Sequence, residues 1–309
     1  MDVLILAGGL SHERDVSIRS GRRVAEILRD RGVKVQVQDV DTTLLRTLSS
    51  LADGVVWPLL HGSSGEDGSL QALLELSGVR YVGTRSKEAR VAWVKPVAKA
   101  VYGREGVSTP DFITLPQSLF REVGAEQVMD AIVSRFGLPL VVKPARGGSA
   151  LGVSLVTERA QLSRAMVHCF AYGDNAMVET AVSGTEVAVS VIGTGAEATA
   201  LPPVEIECEG PYDYDARYNA GRVQYYTPAR LDTADAARVT EAALTVHRVM
   251  GLRDLSRVDM IVDQDGNPQV LDVNIAPGMT ETSLLPQAAV ADPRDIGEIY
   301  QEIVKAALV

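Results

Sequence analysis

Short apolar runs alternate with amphipathic stretches in the first part of the chain. Val3–Leu6 is an apolar run that ends in two glycines after one alanine, which is typical of a buried parallel strand that turns into a helix. A helix should follow over residues 15–31, with Gly32 closing its C-terminal end. Residues 33–40 and 54–60 predict two further strands. This order of strand, helix and strand predicts an α/β layer with an open parallel sheet.

The pattern of apolar positions changes after residue 86. Two strands with a glycine-rich turn between them are predicted, then several strands beginning near residue 175. The further predicted elements are helices at 96–103, 126–136 and 233–250, strands at 139–144 and 152–156, a hairpin at Asp265-Gly266 and a last helix ending at Ala307.

Length and composition indicate several domains rather than one. The chain has 309 residues, 46% of them hydrophobic, and this length favours two or three domains. We place an N-terminal α/β domain at residues 1–86 and two α+β domains at 87–178 and 179–309.

Charge and cysteine content exclude some classes of function. The net charge of −10 argues against a nucleic-acid partner, because phosphate binding needs a basic surface. The two cysteines, Cys169 and Cys208, have no metal-ligand spacing, which argues against a disulfide framework or a zinc site. No signal peptide or long apolar run is visible, so we expect a cytoplasmic protein with no membrane partner.

A lysine and a glycine-rich turn follow one apolar strand. Lys143 ends the strand, and Gly147, Gly148 and Ser149 lie in the turn after it. Backbone N–H groups and a point charge in this arrangement can surround phosphates. The alternative is an ordinary hairpin with a lysine whose stem is buried. The pattern of a P-loop is absent from the sequence.

Acidic and amide side chains alternate on two strands near the C-terminus. Asp272 and Asn274 lie two residues apart, as do Arg257 and Asp259, and residues with that spacing share one face of a strand. Asp259, Asp272 and Asn274 therefore form a predicted set of oxygen ligands for Mg²⁺ at nucleotide phosphates. The alternative to a metal site is ordinary charge pairing between neighbouring strands. The turn at residues 277–280, taken together with these pairs, favours a functional site.

Two carboxylates flank a short connector between apolar strands. Glu179 and Glu186 could hold an adenine amino group and ribose hydroxyls, while backbone groups of the connector read the base edge. Charged strand ends are common, so this segment indicates little by itself.

Two polar turns follow strands of the first domain, at residues 8–17 and 60–68. Open α/β sheets bind ligands at the carboxyl ends of their strands. His61 lies among glycines and beside a Glu-Asp pair in the second turn, which favours a function for it. His168 and His247 lie in predicted helices, and we interpret them as structural.

The complete set of motifs resembles the D-alanine–D-alanine ligases of the ATP-grasp superfamily. The motifs, in order, are Gly-Gly-x-x-x-Glu-Arg-x-Val-Ser, His-Gly-x-x-Gly-Glu-Asp-Gly, Val-Lys-Pro-x-x-x-Gly-Ser, Arg-x-Asp and Asn-x-x-Pro-Gly-Met-Thr-x-x-Ser. They extend from Leu6 to Pro286. The resemblance implies a three-domain ATP-grasp fold, with ATP held between the central and C-terminal domains.

The resemblance also implies roles for particular residues. ATP would contact Lys95, Lys143, Gly147, Gly148, Ser149, Glu179, Ala181, Val182 and Glu186. Two Mg²⁺ ions, with Mn²⁺ as an alternative, would bind Asp259, Asp272 and Asn274. The first D-alanine would contact Glu13 and His61, and the tetrahedral intermediate would contact Arg257 and the Gly278 amide. The second substrate would contact Ser283 and Arg217, and a loop would close through hydrogen bonds among Glu13, Ser149 and Tyr218.

Three positions depart from the family pattern. Asp272 stands where glutamate is common, and Arg217 stands where lysine is usual. Val94 replaces an aspartate that often precedes Lys95, and we expect Pro96 to hold Lys95 outside helical geometry.

The expected activity is ATP-dependent joining of two D-alanines through a D-alanyl phosphate, which supplies a peptidoglycan precursor. Tyr218 favours an amine over a hydroxyl acceptor, because a neutral side chain there does not repel an ammonium. One alternative is a related ATP-grasp ligase with D-serine, D-lactate or a secondary-metabolite substrate. Another is a non-catalytic ATP-binding regulator, although the full set of phosphate and metal residues argues against it. The expected partners are small amino acids and a second copy of the chain in a homodimer.

Overall fold

A four-stranded parallel sheet forms the N-terminal part of the protein. The computed structural model describes residues 2–51, 53–208 and 223–308. The sheet has the order β2-β1-β3-β4 and every neighbouring pair is parallel, which confirms the predicted open parallel sheet. Its elements are β1 (Asp2–Leu6), α1 (Arg14–Asp30), β2 (Lys34–Gln38), α2 (Leu44–Ser50), β3 (Val55–Pro58), α3 (Ser63–Glu66), α4 (Ser69–Leu76), β4 (Arg80–Tyr81) and α5 (Ser86–Trp93).

The central part contains an antiparallel sheet of four strands in the order β5-β8-β6-β7. Buried side chains of α8 and α9 pack on one face of this sheet. The elements are α6 (Lys95–Arg104), β5 (Phe112–Pro116), α7 (Gln117–Val123), α8 (Ala125–Phe136), β6 (Leu140–Pro144), β7 (Ser154–Val156), a 3-10 turn (Arg159–Gln161), α9 (Leu162–Phe170) and β8 (Asn175–Thr180).

The C-terminal part is built on a second antiparallel sheet. Its strands have the order β12-β11-β9-β13-β14, and β10 pairs with β9. The elements are β9 (Thr185–Ile192), a 3-10 turn (Gly195–Glu197), β10 (Thr199–Ala200), β11 (Val204–Cys208), β12 (Val223–Tyr226), α10 (Thr233–Val249), β13 (Leu255–Val262), β14 (Pro268–Asn274), α11 (Leu284–Ala289) and α12 (Ile296–Ala306).

The N-terminal and C-terminal parts share one hydrophobic core. Trp57 of β3 packs edge-on against Tyr300 of α12, with ring centroids 5.5 Å apart, and both side chains are buried. Arg253 adds polar contacts by donating to the carbonyl oxygens of Tyr81 at 2.5 Å and Gly83 at 2.9 Å. These contacts hold β3 and the end of β4 against the C-terminal part of the chain.

Helix α6 begins at Lys95, one residue before Pro96. Lys95 is the first residue of α6 and lies inside the helix, so the expectation that Pro96 excludes it from helical geometry is wrong. Proline is tolerated in the first turn of a helix, where the missing N–H has no partner to lose. The expected boundary after residue 178 falls inside β8, and the three domain limits stay a prediction.

Candidate active site

A cavity of about 1050 Å³ lies where the three sheets meet. It is lined by residues from all three parts of the chain, and most of the predicted site residues are among them. Those that line it are Glu13, His61, Lys95, Lys143, Gly147, Gly148, Ser149, Glu179, Ala181, Val182, Glu186, Arg257, Asp259, Asp272, Asn274 and Gly278. Arg217 and Tyr218, also predicted, lie outside the described residues.

The glycine-rich turn between β6 and β7 crosses from the central part to the N-terminal part. The hydroxyl of Ser149 donates a hydrogen bond to Oε1 of Glu13. Ser149 and Ala150 have φ values of 50° and 57°, a left-handed conformation that is uncommon for residues with a Cβ. The turn therefore holds two strained residues at the point where it contacts Glu13.

Two buried lysines share one carboxylate at the floor of the cavity, and of the three groups Lys143 and Glu179 line it. Glu179 accepts from Lys143 through Oε1 and from Lys99 through Oε2, each at 2.5 Å. Burial alone would raise the pKa of Glu179, but the two lysine charges hold it below its ordinary value. Burial lowers the pKa of Lys99 to about 8, although Glu179 opposes this shift. Lys99 was not among the predicted site residues.

The β13–β14 ladder brings the predicted metal ligands together. Asp259 faces Asp272 and Arg257 faces Asn274 across the two strands, and all four line the cavity. Arg257 binds Asp259 through two hydrogen bonds of 2.6 and 2.8 Å. The carboxylate of Asp272 is 2.5 Å from Nζ of Lys95. The i, i+2 spacing in the sequence predicts which residues share a face of one strand. The pairing of the two strands then places Asp259 beside Asp272.

This donor set fits a hard divalent cation such as Mg²⁺, which prefers oxygen ligands. It consists of two carboxylates and the amide of Asn274, whose Oδ1 accepts from the Ala276 N–H at 2.9 Å. Across residues 2–51, 53–208 and 223–308, no three His, Cys, Asp or Glu side chains form a metal-binding group. A metal here would therefore need Asn274 and non-protein oxygens as well.

His61 is buried at the edge of the cavity next to β14. Its Nδ1 is 2.9 Å from the carbonyl oxygen of Ala276, and its Nε2 is 3.4 Å from the hydroxyl of Ser20. Burial lowers the pKa of His61 to about 4, so the ring is neutral near pH 7. A neutral ring must place its proton on Nδ1 to donate to Ala276, which leaves Nε2 as an acceptor.

Glu66 is a cavity residue that sequence reasoning did not select. Its Oε1 accepts from the Gly62 N–H at 2.7 Å, and it is buried close to Glu13. Burial and the charge of Glu13 raise the pKa of Glu66 to about 8. The Glu-Asp pair in the turn after β3 was noticed as a neighbour of His61, and it was the signal that could have identified Glu66.

The raised pKa of Glu66 predicts a stability effect that depends on pH. The folded protein keeps a proton that the unfolded chain releases above the ordinary pKa of 4.5, so stability is lost as pH rises from there to about 8. Glu66→Gln keeps an acceptor for Gly62 but does not titrate. The variant should become more stable relative to the unchanged protein between about pH 5 and about pH 8.

Urea unfolding at several pH values measures this difference. The exposed Glu26 on α1 gives the matched control, since Glu26→Gln should leave the pH dependence unchanged. A constant difference between Glu66→Gln and the unchanged protein at every pH would contradict the assignment.

Gly278 and Ser283 form a turn beside the cavity. The Ser283 hydroxyl accepts from the Thr280 N–H at 3.0 Å and lies 2.8 Å from the Thr280 hydroxyl. A Cβ added at Gly278 would be 2.7 Å from Ser283 Oγ, so glycine permits this close approach. Ser283 is thus adjacent to Gly278, which lines the cavity, but is not itself a lining residue.

The connector between β8 and β9 passes close to another strand. A Cβ at Gly184 would lie 1.9 Å from the carbonyl oxygen of Val262, so a larger residue would push the connector away. The N–H of Ala181 donates to the Pro139 carbonyl at 3.1 Å, which fixes Ala181 against the central sheet. Glu186 follows the connector on β9 and faces the cavity.

The two predicted structural histidines differ in their surroundings. His247 is buried between the Ser256 hydroxyl at 2.7 Å and the Gly193 carbonyl at 3.2 Å, away from the cavity. His168 contacts Ser154 at 3.2 Å and is one of the residues at the outer part of the cavity.

A parallel N-terminal sheet and two antiparallel sheets around a cavity of lysines and carboxylates define the ATP-grasp ligase class. Two family profiles match the chain: "D-ala D-ala ligase C-terminus" over residues 101–306 and "D-ala D-ala ligase N-terminus" over residues 37–84. The chain therefore belongs to the D-alanine–D-alanine ligase family.

Curated relatives match along nearly the whole chain. A D-alanine–D-alanine ligase of Anaeromyxobacter sp. (strain Fw109-5) is 39% identical over 99% of this chain and 96% of its own length. That of Moorella thermoacetica is 36% identical over 100% of this chain and 99% of its own length.

Solved structures show the same fold. The D-alanine–D-alanine ligase of Bacillus anthracis has a TM-score of 0.85 at 29% identity, covering 100% of this chain and 97% of its own. The VanG D-Ala:D-Ser ligase of Enterococcus faecalis also has a TM-score of 0.85, at 26% identity and 99% coverage of both chains. No helix within the described residues is long and apolar enough to cross a membrane.

Proposed function

We propose that the chain joins two D-alanines to D-alanyl-D-alanine with the conversion of ATP to ADP and phosphate. The observation that carries the proposal is the convergence of Lys95, Lys143 and Arg257 with paired carboxylates in one cavity. Such a cavity suits phosphoryl transfer, which depends on positioned cations more than on covalent catalysis. A B. anthracis ligase of the same fold was solved in complex with ATP, at 27% identity and a TM-score of 0.80.

The reaction has two steps. A carboxylate oxygen of the first D-alanine attacks the γ-phosphorus of ATP, and the bond from that phosphorus to the bridging oxygen of ADP breaks. The amine of the second D-alanine, after losing a proton, attacks the carbonyl carbon of the D-alanyl phosphate, and phosphate leaves. Phosphate accepts the electron pair of the bond that breaks, and the products are the dipeptide, ADP and phosphate.

Residues of the N-terminal part are proposed to bind the first D-alanine. Glu13 offers a carboxylate to its ammonium, and Ser149 holds Glu13 through a hydrogen bond. His61 lines the same pocket, and because its ring is neutral it does not repel the ammonium of the first D-alanine. Glu66 carries its proton near pH 7 and so avoids placing another negative charge beside Glu13.

The C-terminal part is proposed to stabilise the oxyanion of the tetrahedral intermediate. Arg257 is held by Asp259 in a two-bond pair, which fixes the direction of its remaining donors. The N–H of Gly278 is a second proposed donor, and Ser283 beside it is proposed to contact the carboxylate of the acceptor. Arg217 and Tyr218 are proposed to contact the acceptor and to close the loop, as expected from the sequence.

ATP is proposed to lie along the floor of the cavity. Lys95 and Lys143 would contact its phosphates together with Gly147, Gly148 and Ser149 of the turn. Glu179 and Glu186 would hold the adenosine, with the backbone of Ala181 and Val182 at the base. Two Mg²⁺ ions, or Mn²⁺ in their place, would neutralise the phosphate oxygens when bound to Asp259, Asp272 and Asn274.

The wider setting of the enzyme follows from this chemistry. We propose a cytoplasmic homodimer that supplies peptidoglycan synthesis, because ATP and free amino acids are cytoplasmic pools. D-serine is the main alternative acceptor, since the VanG ligase of similar fold is named for it. Light scattering coupled to gel filtration separates a dimer from a monomer.

Isotope transfer tests the acyl-phosphate directly. D-alanine labelled with ¹⁸O in both carboxylate oxygens should give inorganic phosphate that carries one ¹⁸O per dipeptide formed, measured by mass spectrometry. Unlabelled phosphate with a normal yield of dipeptide would exclude the acyl-phosphate. Phosphate release that does not depend on D-alanine would exclude the ligase.

The proposed metal site predicts the effect of Asp272→Ala. Loss of one of three protein ligands should raise the Mg²⁺ concentration for half-maximal activity by about 10-fold or more, because each cation needs several oxygen ligands. Activity and Mg²⁺-dependent nucleotide affinity are titrated against Mg²⁺. Asp265→Ala, an exposed position in the hairpin between the same two strands, is the control and should not change the midpoint. An unchanged midpoint for Asp272→Ala would place the metal elsewhere.

A further inference from the structure

Lys99 is a buried charge that the proposed reaction does not use. It lies on α6 one helical turn after Lys95, and its side chain is 1% exposed. It is not among the residues that line the cavity, but its partner Glu179 is. Its ammonium therefore touches no bound ligand and acts only through its neighbours.

The neighbours of Lys99 define what it can influence. Its Nζ donates to Oε2 of Glu179 at 2.5 Å and to the Pro110 carbonyl at 3.4 Å, and it lies 5.1 Å from the centre of the Phe112 ring. The other oxygen of Glu179 is 2.5 Å from Lys143. One carboxylate is thus shared by two lysines, of which only Lys143 lines the cavity.

The pairing of Glu179 with both lysines affects how Lys143 can bind the phosphates of ATP. The Lys143 ammonium has three donors and already donates to Glu179 at 2.5 Å and to the Leu271 carbonyl at 3.3 Å, so a nucleotide phosphate competes with these two groups for it. If Lys143 were the only cation beside Glu179, its departure would leave a buried carboxylate without a charge partner, which is strongly unfavourable. Lys99 removes this obstacle because Glu179 stays paired when Lys143 turns away.

We propose that Lys99 is a positioning residue that holds Glu179 so that Lys143 is released to the phosphates of the nucleotide. The two lysines and one carboxylate carry a net charge of +1, which attracts an anion into the cavity. If the charge of Lys99 were removed, Glu179 would keep Lys143 as its only cationic partner of the two, and Glu179 would then compete with the nucleotide phosphates for Lys143. The inference rests on the proposed function, since it requires a nucleotide in this cavity.

The test compares ligands with and without phosphates. Lys99→Met should weaken binding of the β,γ-imido analogue of ATP, with Mg²⁺, by about 10- to 100-fold, the loss of one charged hydrogen bond. Binding of adenosine can lose only its proposed contact with Glu179, so it should weaken clearly less than binding of the analogue, which also loses a phosphate contact. Calorimetry measures both, and Lys87→Met, an exposed lysine on the preceding helix α5, should change neither.

A double-mutant cycle shows whether Lys99 acts through Lys143. In a Lys143→Met background, the further change Lys99→Met should alter affinity for the ATP analogue by less than about 3-fold. The full loss in that background, or equal losses for adenosine and the analogue, would overturn the inference and make Lys99 a residue of the fold only.

Folding and function are separated by two further measurements. Lys99→Gln, also neutral, should reproduce the loss if Lys99→Met does not fold, and failure of both variants to fold would overturn the inference. If the unchanged protein binds neither the analogue nor adenosine, the proposed function fails. If it binds both and Lys99→Met does not differ from it, only this inference fails.

Discussion

Replacing Lys143 by alanine should lower turnover by about 10²- to 10³-fold while the protein stays folded. Lys143 is the last residue but one of β6 and lines the cavity next to the glycine-rich turn, so its loss removes a positioned phosphate donor. The fold should survive because Glu179 keeps its contact with Lys99.

Steady-state phosphate release with D-alanine measures the effect of Lys143→Ala, and thermal unfolding checks the fold. Lys87→Ala on the surface of α5 is the matched control and should retain full turnover. Near-normal turnover of a folded Lys143→Ala variant would remove this lysine from the mechanism.

Arg257→Lys should lower kcat by about 10²- to 10³-fold, because lysine keeps the charge but not the fork of donors. Asp259 would retain a cation nearby, so the variant should fold. Arg257→Ala should also destabilise the fold, since removing one partner of a buried ion pair costs about 3–5 kcal/mol of stability.

The comparison of the two Arg257 variants separates geometry from charge. Rapid-quench measurement of one turnover gives the rate of the chemical step, and urea unfolding gives the stability. A normal single-turnover rate for Arg257→Lys would show that the two-bond geometry with Asp259 has no part in stabilising the intermediate.

Regular elements were predictable where one pattern dominates. The helix after β1 shows clear amphipathic periodicity, and both it and the helix predicted at residues 233–250 are confirmed within one or two residues. The strand order of the sheets was not predictable from the residues alone, because pairing depends on contacts between distant segments. Strand β8 is an example, because it lies between β5 and β6 in the sheet although both precede it by many residues in the chain.

Most charged residues of the cavity were identified from the motifs, but Glu66 inside the second motif and Lys99 outside the motifs were not. Lys143, Asp259 and Asp272 stand in motifs and line the cavity. Lys99 and Glu66 are charged residues of helices α6 and α3, and charged side chains usually lie on the solvated surface of a protein. Only the packing around them shows that both are buried beside other charges.

Lys95 shows the limit of a local rule. The residue before a proline usually avoids helical geometry, yet Lys95 begins α6 and its ammonium reaches Asp272 at 2.5 Å. The preceding backbone pairs with Arg146 of the glycine-rich segment through Val94, and this tertiary contact fixes where the helix starts.

The proposed product of the chain is D-alanyl-D-alanine. The most direct measurement is an incubation with ATP, Mg²⁺ and equal concentrations of D-alanine, D-serine and D-lactate near neutral pH, with the products separated by mass. We expect D-alanyl-D-alanine as the main product, formed with one ADP per dipeptide. A main product that is an ester with D-lactate or a mixed dipeptide with D-serine would contradict the proposed acceptor, and the absence of any condensation product would contradict the ligase itself.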